Sequence, residues 1–259
     1  MSTTTQTSGR LARIVPEALA AIHEVLERHR VTEDEWMAAL AFLTEVGRAD
    51  EFILLSDVTR TSVLIDAISH GEDESEATAS DVQGPMYTVE PPFRKKIYEE
   101  YEGMGDDDPL FVRGRVTSVD GAPLPEAVVE VWQTGPTGGY DVWDPNQPEM
   151  NFRGRMRVEE DGSYEFQTML PRPYTVPTSG PVGRYLEAIG QHPWRPAHIH
   201  FKVTAPGHRT LVTQVFFPGD PYLDNDTIGA VKPALVRPVQ QHDDHLTCDF
   251  EIALAPQSR

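Results

Sequence analysis

Apolar residues recur every three to four positions through the first quarter of the chain. Leu11, Ile14, Val15, Leu19, Ile22, Val25 and Leu26 fall on one stripe, the period of a helix face. Thr32 followed by Glu35 has capping-box spacing, with Trp36, Leu40, Phe42 and Leu43 behind it. Asp50 is placed to cap a third helix through Phe52, Leu54, Leu55, Val58, Leu64, Ile65 and Ile68, with Gly71 as its stop. Residues 71–80 are acidic and nearly free of apolar groups, which predicts a linker or surface loop.

From about residue 108 the period changes to two. Strands are predicted at Phe111–Val116, Ala127–Trp132, Arg155–Val158, Tyr164–Met169, His198–Thr204, Leu211–Phe217 and Leu246–Leu254. Asp161-Gly162 between two of them is a hairpin signal. The expected architecture is mainly β: an antiparallel sandwich over residues 81–259, preceded by a helical region over 1–80. Stretches 84–108, 134–152 and 171–197 are then loops, and loops that long in a compact domain generally carry function.

Charge and composition narrow the partners. The chain has 22 basic and 41 acidic residues among 259, a net of -19. Nucleic acid and anionic membrane surfaces repel such a protein. One cysteine, Cys248, excludes an internal disulfide and any Cys-built zinc or iron–sulfur site. No run approaches the roughly 20 apolar residues of a membrane span, and the polar N-terminus lacks a signal peptide's apolar core. The expected location is the cytoplasm.

The chemistry concentrates in Arg195-Pro196-Ala197-His198-Ile199-His200-Phe201. In a strand, residues two apart share a face, so His198 and His200 project together, away from Ile199 and Phe201. Paired imidazoles make half of a metal site, or an ordinary strand face; the spacing alone does not choose, and names no metal. Tyr140 and Tyr174, in the loops upstream, offer hard phenolate oxygens of the kind that suit a ferric ion, or simply pack on the sheet.

Taken together, Tyr140, Tyr174 and the run Arg195–His200 resemble the intradiol ring-cleaving dioxygenases of the catechol 1,2-dioxygenase type. The likeness extends through Gly84-Pro85, Val131-Trp132, Gly180-Pro181, Thr213-Gln214 and Gly219-Asp220-Pro221-Tyr222. The resemblance implies one non-haem Fe(III) per subunit, held by Tyr140, Tyr174, His198 and His200, with Tyr174 leaving when substrate arrives. It also implies that Arg195 and Gln214 act in the site, and that O2 and a small aromatic diol give a cis,cis-muconate. A homodimer formed through the N-terminal helices, with room for phospholipid at its interface, is a further implication.

The resemblance places a substrate pocket at Leu54, Asp57, Val58, Val82, Pro85, Met86, Thr227 and Ile228. The segment Glu51–Val58 is most similar to hydroxyquinol 1,2-dioxygenases, and Asp57 is suited to accept a hydrogen bond from a third ring hydroxyl. Benzene-1,2,4-triol is therefore the expected substrate, with catechol or chlorocatechol as alternatives. More distant readings are a zinc hydrolase using the two histidines and a carboxylate such as Asp141, and a non-catalytic sandwich module.

Overall fold

The computed structural model describes residues 2–70 and 76–257. The expected stop at Gly71 and residues 72–75 of the expected acidic linker lie outside the described residues. Two compact units divide after Ala49. Helices α1 (Ser2–His29) and α2 (Glu33–Arg48) form the first. The capping box at the start of α2 is present: Thr32 Oγ1 accepts from Glu35 N at 3.3 Å, and Glu35 Oε2 accepts from Thr32 N at 2.8 Å. Leu11, Ile14, Val15, Leu19, Ile22 and Val25 on α1 are exposed. Among the described residues, no helix is long and apolar enough to cross a membrane.

The second unit opens with α3 (Phe52–Val58) and α4 (Thr61–His70), where one helix was expected. Arg60, at φ 59°, turns the chain between them. Asp50 is not the cap of α3. It takes φ 57° itself, and Glu51 occupies the cap position without a side-chain bond to the helix. The Glu51 carboxylate instead accepts from Val182 N at 2.9 Å, at the start of α5 (Pro181–Ala188), a helix inside the expected loop 171–197.

Besides a short 3-10 helix at Pro233–Leu235, the remaining elements are strands: β1 (Pro109–Ser118), β2 (Val128–Gln133), β3 (Arg153–Arg157), β4 (Ser163–Met169), β5 (Tyr174–Thr175), β6 (Trp194–Arg195), β7 (His198–Thr204), β8 (Leu211–Phe216), β9 (Gln240–Gln241), β10 (Leu246–Asp249) and β11 (Ile252–Leu254). One sheet runs β3-β2-β7-β8, antiparallel throughout. The other is mixed. Strand β4 pairs antiparallel with β1, while β10 and β11 pair parallel with it. The single closing strand expected over 246–254 is split because β1 changes partner at Gly114. A Cβ on Gly114 would lie 1.9 Å from Phe250 O, so only glycine lets the chain pass there.

The core lies between the sheets. Ile199, Phe201 and Val203 of β7 are fully buried, as are Leu110, Val112 and Val116 of β1. The Phe201 ring meets Phe166 at 6.0 Å and Phe250 at 5.1 Å between centroids. Alternation then obliges His198 and His200 to face outward. They are buried nonetheless, at 1 % and 2 % exposure, because the long loops fold over that outer face.

Candidate active site

Five segments bring the site together. Strand β7 presents His198 and His200. Strand β2 sets Trp132 opposite His200, where the two rings stack at 4.7 Å and 3°. Strand β8 sets Gln214 opposite His200 from the other side. The short ribbon β5–β6 pairs Tyr174 directly with Arg195. Tyr140 arrives on a turn whose carbonyl accepts from Trp143 N and Asp144 N, each at 2.9 Å. Gln147 Nε2 donates to the preceding Gly139 carbonyl at 2.8 Å and steadies that turn.

The imidazoles are neutral. Burial first, then the Arg195 cation, holds His198 well below the ordinary histidine range. Burial, His198, Arg195 and Arg153 do the same for His200. The tautomer of His198 follows from its partner: Nδ1 lies 2.7 Å from Pro196 O, a carbonyl that only accepts, so Nδ1 carries the proton. Its Nε2 lone pair accepts from Arg195 Nη1 at 3.0 Å and faces His200 Nε2 at 3.1 Å. His200 Nδ1 is buried without a partner, so neither tautomer of His200 satisfies both nitrogens.

One phenol carries the same signature. Tyr140 is fully buried, and its hydroxyl has no hydrogen-bond partner. Burial, reinforced by Tyr174 beside it, pushes this phenol well above its usual range. The Tyr140 and Tyr174 rings meet edge-on at 5.5 Å, and Tyr174 lies 5.5 Å from His198 between centroids. A shared cation would lie between the two Nε2 atoms that face each other and would ionise the phenols at once. Two nitrogen and two phenolic oxygen donors suit a hard, trivalent ion.

Arg195 is 3 % exposed. Its Nε donates to Asp226 Oδ1 at 3.2 Å, and its Nη2 donates to Gln214 Oε1 at 3.0 Å. Gln214 Nε2 in turn donates to Val82 O at 3.0 Å. Asp226 keeps this guanidinium charged despite its burial.

A narrow cleft opens beside these groups. Of the residues expected to form a pocket, Leu54, Asp57, Pro85, Met86 and Ile228 line it. Val58, Val82 and Thr227 are buried and do not line it, whereas Gly84, Trp143, Val176 and Pro177 do. Asp57 is 4 % exposed. Burial raises its carboxyl above the ordinary range, against the pull of Ser62 and Arg195.

Sequence reasoning did not single out Asp226 or Asp81, and Asp226 leaves no signal beyond its place beside Thr227. Trp132 is part of the likeness, but its stacking on His200 is visible only once β2 is set in register with β7. Asp141 is not a third metal ligand. It accepts from Arg153 Nε at 2.7 Å and from Met150 N at 3.1 Å. Among the described residues, no three His, Cys, Asp or Glu side chains are grouped to hold a metal. Among the described residues the zinc-hydrolase alternative therefore lacks its carboxylate.

Comparison with known proteins agrees with this geometry. A family described as catechol dioxygenase N terminus matches residues 9–77, and one described as dioxygenase matches residues 82–256. Hydroxyquinol 1,2-dioxygenase from Rhizobium sp. (strain MTP-10005) is 41% identical over 244 residues, covering 91% of this chain and 81% of the relative. The 6-chlorohydroxyquinol 1,2-dioxygenase of Cupriavidus pinatubonensis is 38% identical over 255 residues, covering 96% and 92%. The solved structure of hydroxyquinol 1,2-dioxygenase from Pseudomonas putida DLL-E4 superposes with a TM-score of 0.85 at 36% identity, covering 96% of this chain and 93% of that one.

Proposed function

The chain belongs to the intradiol catechol dioxygenase family, and from that premise we propose that it is an Fe(III)-dependent hydroxyquinol 1,2-dioxygenase. The observation that carries the reading is the convergence of Tyr140, Tyr174, His198 and His200, with the buried Tyr140 hydroxyl unsatisfied and the two histidine Nε2 atoms facing each other at 3.1 Å. These four residues would hold the ion. When bound, a ferric ion supplies chelation of both oxygens of an aromatic diol and activates the ring toward O2.

The rest of the work falls to the chain. The Tyr174 oxygen, as phenolate, accepts a proton released by the diol. Arg195 cannot lose its charge, and its fork is aimed by Asp226 and Gln214. It therefore presents positive charge to the anionic diol and to negative charge that develops on the ring. Trp143, Met86, Val176 and Pro177 supply apolar walls that confine the ring and exclude water. Asp57, on α3, is the polar exception in that wall, placed to accept from a third hydroxyl.

The same reading extends to the helices. The exposed apolar stripe of α1, and the groove it lines with Val31 and Trp36 on the first unit, support a helical region over 1–80 that dimerises and accommodates phospholipid. Residues 81–259 then form the catalytic domain that carries the four candidate ligands, with α3 lending Leu54 and Asp57 to its cleft. The buried thiol of Cys248 supports a reducing, cytoplasmic setting.

Oxygen uptake by the iron-loaded protein tests the assignment against hydroxyquinol, catechol and 4-chlorocatechol. Hydroxyquinol is expected to give the largest kcat/KM. Asp57→Asn is expected to lower hydroxyquinol turnover roughly 10- to 100-fold more than catechol turnover. Equal losses on both would assign catechol instead, and no uptake with any diol would overturn the enzyme reading.

A further inference from the structure

Behind Arg195 the charges do not balance. Two cations face this region, and each already has a carboxylate: Asp226 for Arg195 at 3.2 Å, Asp66 for Lys232 at 2.9 Å. Asp57 and Asp81 are surplus carboxyls, 4 % and 3 % exposed. Asp57 borders the cleft and is accounted for by substrate recognition. Asp81 does not border it. Its Oδ1 accepts from Val82 N at 2.7 Å, and its Oδ2 is buried without a hydrogen-bond partner.

Asp81 nevertheless connects to the site by a short path. Its backbone N–H donates to Val212 O on β8 at 2.8 Å. The next carbonyl, Val82 O, accepts from Gln214 Nε2, and Gln214 Oε1 accepts from Arg195 Nη2. A charge on Asp81 thus sits at the back of the assembly that aims the guanidinium. The groups facing it are Arg195 and Lys232, which favour its ionised form, and Asp66, which opposes it.

We propose that Asp81 is a positioning residue whose protonation state sets the field of Arg195: the neutral carboxyl leaves the guanidinium's charge to the anionic diol, and the ionised carboxyl withdraws it. Burial raises this carboxyl from 3.8 to about 7, so both forms are populated near neutrality. The effect on substrate rests on the dioxygenase reading above; the ionisation itself does not.

The two parts are measured separately. The folded protein keeps a proton that the unfolded chain loses near pH 4. Wild-type stability therefore falls, relative to Asp81→Asn, as pH rises from about 4 to about 7, and the gap is constant above that. The Tm of the variant is expected to match the wild type at pH 4 and exceed it at pH 8. Lys232→Gln removes a cation that favours ionisation, and is expected to move the wild-type transition to higher pH. In oxygen uptake, KM for hydroxyquinol is expected to rise roughly tenfold from pH 6 to pH 8 in the wild type beyond any rise in Asp81→Asn, with kcat little affected. A Tm difference that does not change with pH, or an Asp81→Asn enzyme that keeps the full KM rise, overturns the proposal. A wild type inactive on every diol overturns the dioxygenase reading instead, and the Tm comparison then decides Asp81 alone.

Discussion

Arg195 serves three partners through one planar group: His198 Nε2, Gln214 Oε1 and the Asp226 carboxylate. A lysine at this position keeps the charge but not the fork, and an ammonium on a flexible stem cannot reach all three at their present angles. Arg195→Lys is therefore expected to lower kcat/KM for diol cleavage by roughly 10²- to 10³-fold, measured by oxygen uptake under saturating iron. Arg195→Met leaves Asp226 as a buried, uncompensated charge and is expected to cost about 3–5 kcal/mol of stability, read by denaturant unfolding. Near wild-type turnover in the lysine variant would show that the fork itself is not in use. At this scale the sequence was informative where function sat on a strand. The two-residue period alone set His198 and His200 on one face, with Arg195 close by in the chain. Asp226 and Asp81 were not legible, because each acts through a partner distant in sequence and neither spacing nor residue type marks a buried carboxylate.

Elements were legible to the degree that local pattern decided them. Strand β7 runs over the predicted residues His198–Thr204, because the opposite sheet and the loops enclose both its faces and hold its register. The capping box of α2 was likewise a local signal locally fulfilled. The misreadings came from tertiary demands. The apolar stripe 52–68 continues smoothly through Arg60, yet the chain breaks there into α3 and α4. The closing strand splits because β1 exchanges one parallel neighbour for another at Gly114. That exchange makes a direct prediction. A methyl group on Gly114 would meet Phe250 O at 1.9 Å and its carbonyl carbon at 2.6 Å, both backbone atoms that cannot rotate away. Gly114→Ala is expected to destabilise the sandwich by several kcal/mol, well beyond the roughly 1 kcal/mol typical of point substitutions. Urea unfolding checks it, and a midpoint within error of the wild type would mean that β1 and β10–β11 are not held together at this crossing.

At the scale of the whole molecule, the sandwich buries one face of β7 in its core and uses the other for chemistry. The consequence is that unsatisfied polar atoms of the second unit lie next to one of its most deeply buried strands. Tyr140 Oη and His200 Nδ1 have no partners, and the two histidine Nε2 atoms face each other at 3.1 Å. An ion that binds the folded site and has no comparable site in the unfolded chain stabilises the fold by mass action. At a free concentration about a thousand times the dissociation constant the gain is about 4 kcal/mol, which for a chain of this size raises Tm by roughly 10 °C. Iron-loaded protein is thus expected to melt higher than chelator-treated protein and to show a visible tyrosinate-to-iron band that the chelator abolishes. Tyr140→Phe, which removes the most deeply buried oxygen donor, is expected to weaken the band and shrink the iron-dependent rise in Tm while leaving the melting of the metal-free protein equal or higher, because it deletes an unsatisfied buried hydroxyl. An identical melting temperature with and without iron, and no colour on loading, would show that the four donors do not converge on an ion, and the assignment of the site would fall with them.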